Sequence, residues 1–298
     1  MAKFGAVGDT TELEFWRETV LAGTAQDHVA RLLDRPEYDE AVRRSILGSL
    51  HFYDSEPETN AIFREMGTFG LGVLALYLDS TGGITHRRLA GLGNTSTILS
   101  AGRASAILGL LRAKGLVTRE AATNGLPARY LPSAQMTHFF CARFKVDLSA
   151  LIAVEPALQT HVARWEEPGV FPRFMALLGG QLVRAAQDRD HQFKSFNDIG
   201  TYRAGFLILN DLLMRADRGG PLPALEPFDI PVSEVARRFS VSRAHVRRLI
   251  DRLESSGYLV RDQSGAGCFQ PTLGPIMRHY FALGHVTFMG FAHEAMRG

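Results

Sequence analysis

Cysteine is nearly missing from this chain: Cys141 and Cys268 are the only two in 298 residues. They stand far apart with no Cys-x-x-Cys spacing, which excludes a disulfide scaffold and a cysteine-built zinc site and fits a reducing cytoplasm. An excess of charge of one sign is missing too: 33 Lys and Arg against 31 Asp and Glu leave +2, unlike a histone-like polycation. Long apolar runs are also wanting. The most apolar stretch, Ile276 to Met296, contains Arg278, His279, His285, His293 and Glu294, which a bilayer core would penalise. The N-terminus MAKFGAVGDTTELEFW has no apolar run of signal-peptide length.

Signatures of catalysis are missing as well. There is no P-loop, no G-x-S-x-G, no H-E-x-x-H, and no G-x-G-x-x-G after a strand. The glycines around 67–72 fall inside an apolar helical run. His279, His285 and His293, spaced by 6 and 8, share no helical face as metal ligands would. The expectation is a cytoplasmic protein that is not an enzyme, needs no cofactor or metal, and does not contact a membrane.

What is present is a core-forming composition, 46% hydrophobic and 21% charged, with length for about two domains. The near-neutral total conceals an asymmetry. Residues 1–80 carry 7 basic and 14 acidic side chains, 84–120 carry 6 and 1, and 230–262 carry 7 and 4. Positive charge therefore sits in two short islands.

Those islands lie in an internal repeat. LRAKGLVTRE (111–120) and LESSGYLVRD (253–262) align at an offset of 142, matching Leu111 with Leu253, Gly115 with Gly257 and Arg119 with Arg261. At the same offset Ile107-Leu108 match Leu249-Ile250, and Ser100 matches Ser242. Upstream, GITHRRLAGL (83–92) is similar to DIPVSEVARRF (229–239), and GLGVLALYL (70–78) to GFLILNDLL (205–213). Each copy reads as an apolar helix stopped by a glycine pair, a short helix, a turn and a second helix. The core stripe of that second helix in copy two is Val246, Leu249, Ile250 and Leu253. Two strands around a polar turn follow, with Asn124-Gly125 a hairpin signal in copy one.

This order is that of a winged helix-turn-helix, and residues 241–261, VSRAHVRRLIDRLESSGYLVR, resemble the winged-helix regulators of the MarR type. The shared features are a serine at the helix start, an apolar stripe, then glycine, an apolar pair and a basic strand. The resemblance spans about 60–160 and 200–298. Members of that family are usually homodimers of about this half-length, so it implies two winged-helix units fused as a pseudo-dimer around a helical body. The chain should be mainly α with small β-hairpin wings. Residues 1–160 would form the first half, with leading helices over 11–53 (Leu13, Trp16, Val20, Leu21), a winged helix over about 69–132 and an exit helix over about 133–160. Residues 161–298 would form the second, with a leading helix over 161–190 (Trp165, Phe174, Leu177, Leu178, Leu182), a winged helix over about 204–272 and a C-terminal helix over about 273–296.

A recognition helix of this kind enters the major groove. With the stripe buried, Ala244, Arg247, Arg248 and Asp251 turn outward, flanked by Arg243 and His245. Arg247 and Arg248 can each grip guanine O6 and N7 with a guanidinium fork. Ser240 or Ser242 would cap the helix. Arg237, Arg238 and, on the wing, Arg261 suit phosphates. The bland alternative is that these arginines are solvated or paired with Glu234, Asp251 and Glu254. In copy one the corresponding face is Gly102, Ser105, Ala106 and Gly109, small and uncharged, with Ser100 and Arg103 near its start. Arg87 and Arg88 lie on the preceding helix and Arg119 and Arg129 on the wing.

The expected partner is double-stranded DNA carrying an imperfect palindrome, read by two helices about one turn of DNA apart, with the protein associated with a bacterial nucleoid. A small-molecule effector and further pairing of two chains are compatible with the resemblance. The competing readings are a tandem winged-helix adaptor between proteins and an effector sensor with weak DNA binding. Cys141 and Cys268 as oxidation sensors, and Tyr280, Phe281, Phe288 and Phe291 as an effector cleft rather than core, are weaker alternatives.

Overall fold

Pro36 and Pro57 punctuate the first apolar-periodic segment, and the chain answers with separate helices. These are α1 (Gln26–Leu33), α2 (Tyr38–Ser55) and α3 (Pro57–Phe63), with Pro57 at the first turn of α3. The computed structural model describes residues 26–95, 101–120, 128–185 and 194–297. Helix α2 buries Tyr38, Ala41, Val42, Ser45, Ile46, Ser49, Leu50 and Tyr53, a stripe at helical spacing. A bend of 97° separates α3 from α4 (Met66–Ser80). Next come α5 (His86–Thr95), α6 (Ala101–Ala113), β1 (Val117–Arg119), β2 (Tyr130–Pro132) and α7 (Ala134–Leu151), whose start Ser133 caps by accepting from Met136 N at 3.2 Å.

The second half runs α8 (Leu158–Arg164), α9 (Val170–Ala185), α10 (Lys194–Thr201), α11 (Gly205–Ala216), α12 (Val232–Arg238) and α13 (Arg243–Ser255). It closes with β3 (Leu259–Arg261), β4 (Gly267–Phe269) and α14 (Leu273–Arg297). The described chain is thus mainly helical with two small antiparallel sheets. Among the described residues no single helix is long and apolar enough to cross a membrane.

The repeat has a counterpart in backbone hydrogen bonds. Helix α6 ends with Gly115 N donating to Arg112 O (3.0 Å) and Leu116 N to Leu111 O (2.9 Å); α13 ends with Gly257 N to Glu254 O (2.9 Å) and Tyr258 N to Leu253 O (2.9 Å). Both glycines are left-handed, φ 68° and 70°, a conformation other residues adopt only at a cost. Arg119 then pairs across the sheet with Tyr130, and Arg261 with Gly267. A third segment adds a bridge to the same strand in each case, Ile84 to Tyr130 and Phe228 to Gly267.

The two halves share one core by crossed packing. Helix α2 lies on α7 and also on α11, while α9 lies on α14 and also on α4. Helix α1 packs on α14, and α8 on α7. An aromatic series lines the junction: Phe63 meets Phe140 (4.8 Å between centroids), and Phe144 meets both Phe174 (5.3 Å) and Phe288 (5.4 Å). Trp165 is fully buried and donates Nε1–H to Cys141 O at 2.9 Å. Several polar groups in this core are paired: Ser45 Oγ donates to Asp147 (2.5 Å), Arg143 to the other Asp147 oxygen (2.7 Å), and Tyr38 Oη lies 3.0 Å from His285 Nδ1.

Two sequence expectations shift. The leading segment of the second half is broken into two helices, α8 and α9, with Gly169 at φ 86° between them. The division at 160/161 falls inside α8. Leu13, Trp16, Val20 and Leu21, and the Asn124-Gly125 turn, lie outside the described residues.

Gly179 on α9 lies tight against α4: a Cβ there would overlap Tyr77 Cβ. Because Tyr77 Cβ is anchored to its own helix, overpacking of roughly 1–3 kcal/mol outweighs the helix-propensity gain of about 1 kcal/mol. Gly179→Ala should lower the melting temperature. Gly70→Ala on α4, with nothing within 4 Å of the added carbon, should hold or raise it.

Burial lowers the pKa of His285 to about 4, and those of His28 and His293 likewise to about 4. The unfolded chain, with histidines near the ordinary 6.5, binds more protons between these values. Stability is therefore full above about pH 6.5 and is lost as pH falls toward about 4. Chemical denaturation across this range should show that slope, and His285→Asn should make it shallower by up to about 1.4 kcal/mol per pH unit. An unchanged slope would remove His285 from the account.

Candidate nucleic-acid interface

Helix α13 is capped by Ser242, whose Oγ accepts from His245 N at 3.1 Å, so Ser242 rather than Ser240 is the cap. Its inner stripe of Val246, Leu249, Ile250 and Leu253 is at most 1% exposed. The opposite face carries Arg243, Ala244, Arg247 and Arg248, all exposed, with Arg237 exposed on the adjacent α12. Among the described residues Arg243, Arg247 and Arg248 form no ion pair with a carboxylate, while Glu234, held below its ordinary range first by Arg215, also feels the charge of Arg237. The carboxylates within α13 are occupied elsewhere: Asp251 and Glu254 both bind Arg261, at 2.8 and 2.5 Å. Arg261 holds the Glu254 carboxyl below its ordinary range.

Other expected contact residues turn out to serve the fold. His245, half-buried, reaches toward the α10–α11 corner, with Nε2 3.0 Å from Arg203 O and its ring edge-on to Tyr202 at 5.9 Å. A carbonyl only accepts, so Nε2 carries the proton and ties the start of α13 to the α10–α11 corner. Arg238 points away from its neighbour Arg237, binding Asp54 at 2.6 Å and the buried Asp211. Arg261 pins β3 to α13, so its charge is largely neutralised. Beyond it Asp262 organises the tip of the turn, accepting from Ser264 N (2.8 Å) and Ala266 N (3.0 Å).

In the first unit Arg88 donates to Gly83 O (2.7 Å) and Thr81 O (3.2 Å) beyond the end of α4, and Arg129 donates to Gly82 O. Arg103 faces Glu65 at 3.7 Å, and Ser105 Oγ lies 2.8 Å from His86 Nε2. Arg87 and Arg119 are exposed and engage no carboxylate among the described residues. Ser100 lies outside the described residues.

Several residues that hold this surface carry no local signal in the sequence. Arg64, at the α3–α4 corner, donates to Phe239 O at 2.8 Å, placing a cation at the carbonyl end of α12. Tyr53 stacks near Phe239, 5.2 Å between centroids. Glu65 stands between Arg103 and, at 3.8 Å, Arg203. The first half thus braces the turn before α13, and the starts of α6 and α13 are linked through one corner. Arg252 fixes the helix from the other side on Asp198 (2.5 Å).

The remaining aromatic candidates pack in or against the core. Tyr280 packs on Phe196 (4.8 Å) and Phe206 (5.5 Å), and Phe291 is 1% exposed. Burial pushes the Cys141 thiol up to about 11, the opposite of what a sensor thiolate needs. Cys268 Sγ lies 2.8 Å from Leu225 O.

Comparison of the chain with protein-family models, with curated proteins and with solved structures gave no significant match.

The neighbours Arg237 and Arg238, and the pair Arg238 and Arg247, should separate in stability measurements. Arg238→Ala leaves Asp54 unpaired and the buried Asp211 with Arg215 alone, and should cost about 2 kcal/mol or more. Arg237→Ala and Arg247→Ala should stay within about 0.5 kcal/mol of the parent. Equal losses in urea unfolding for all three would contradict this assignment.

Proposed function

We propose that the chain is a sequence-specific double-stranded DNA-binding regulator, with two winged-helix units in one polypeptide arranged as a pseudo-dimer. The observation that carries the reading is the outer face of α13, a capped and fully anchored helix presenting Arg243, Arg247 and Arg248 to solvent without carboxylate partners. Arg243 and Arg247 are one helical turn apart, and like charges so placed destabilise a helix by about 0.2–0.5 kcal/mol. The helix keeps them unbalanced while its own carboxylates serve Arg261. A polyanion with guanine edges in a groove wide enough for a helix supplies what that face lacks.

Crossed packing supports the pseudo-dimer reading: α2 lies on α11 and α9 on α4, each a helix from the opposite half. On this reading the β3–β4 hairpin is the wing of the second unit and β1–β2 that of the first. Regulation of transcription, a nucleoid location and control by a small effector are carried by the resemblance to MarR-type proteins alone. The adaptor reading retains one observation in its favour: the outer face of α6 is small and neutral, and Leu110 on it is 41% exposed.

A gel-shift series with genomic DNA fragments tests the conclusion. The parent should retain DNA with affinity falling steeply as salt rises. Arg247→Ala combined with Arg248→Ala should weaken specific binding by about ten-fold or more at an unchanged melting temperature. No DNA retention at low salt, together with stoichiometric co-purification of another protein through the α6 face, would replace this reading with the adaptor.

A further inference from the structure

The two units carry opposite charge arrangements on the same backbone positions. At the offset of 142, Arg243, Arg247 and Arg248 of α13 correspond to Ala101, Ser105 and Ala106 of α6. His245 corresponds to Arg103, which faces Glu65. Ser105 faces His86, and Gly102, Ala106 and Gly109 are exposed but carry no side-chain donor. Among the described residues, the middle of α6 therefore presents no exposed guanidinium.

The hairpins invert the pattern. Arg261 is held by Asp251 and Glu254. Their counterparts are Gly109 and Arg112, so the matching Arg119 lacks both carboxylates and has an arginine at the position of one of them. Arg112, Lys114 and Arg119 are all exposed, and none engages a carboxylate among the described residues. In the second unit the helix is basic and the hairpin base is neutralised; in the first the helix face is neutral and the hairpin base is basic.

Resting on the DNA-binding reading, we propose a division of labour: the second unit reads bases through α13, and the first grips phosphates through the end of α6 and β1. Phosphate contacts position a protein without conveying sequence. The target is then a single guanine-bearing block beside a flank of indifferent sequence. It is not the imperfect palindrome that two equivalent helices would demand.

Selection of binding sites from random duplex DNA, with the full chain, decides the matter. The expected result is one asymmetric block of sequence preference. Arg247→Ala with Arg248→Ala should erase that preference. Arg112→Ala with Arg119→Ala should leave the block intact, weaken all sequences alike, and reduce the log–log salt slope by about 1.8, two phosphate contacts' worth. Thermal melting of each exposed-site variant checks that it is folded. Two inverted blocks of equal weight would overturn the division of labour while leaving DNA binding in place. A block that survives the Arg247/Arg248 variant would overturn it too, and enrichment of no DNA at all would overturn both.

Discussion

The crossing of α2 onto α11 and of α9 onto α4 is the constraint from which the remaining geometry follows. Each half packs a helix onto the other. The turn leading into α13 is accordingly fixed by residues nearly two hundred positions away: Tyr53 against Phe239, Asp54 on Arg238 and Arg64 on Phe239 O. Arg43 adds a two-pronged bond to Asp217, beyond the end of α11, at 2.7 and 3.1 Å. A surface helix held from several sides loses little further freedom on meeting a ligand, which suits a rigid reading head.

Much of this fold was legible locally. The stripe from Val246 to Leu253, the Ser242 cap and the paired glycines at 115 and 257 follow from periodicity and backbone stereochemistry, which operate over a few residues. The repeat was legible for the same reason, since each copy must satisfy the same local rules. The fate of individual arginines was not. Arg237 and Arg238 are adjacent and chemically identical, yet one is exposed and the other binds Asp54, 184 positions away. Arg87 and Arg88 divide in the same manner. The bracing role of Arg64 has no signature because its acceptor is a backbone carbonyl 175 positions distant. His245 stands near the helix start like a reading residue, but the α10–α11 corner supplies a carbonyl that engages its ring.

Joining two units in one chain removes a restriction that a homodimer cannot escape. In a symmetric pair every residue appears twice, so a change that frees one hairpin arginine frees the other. Here Asp251 and Glu254 neutralise Arg261, while Gly109 and Arg112 leave Arg119 uncovered. Each unit can therefore carry a different share of the contact with a polyanion while the shared core keeps their relation constant.

The central claim is that the outer face of α13 lies against DNA bases. A photo-crosslinking amino acid at the position of Ala244, exposed between the two nearest arginines of that face, measures this directly. Irradiation of the full chain with its selected duplex should give a covalent adduct that maps to bases within the preferred block. Adducts confined to the flank, or none from α13 while DNA is bound through another surface, would contradict the account.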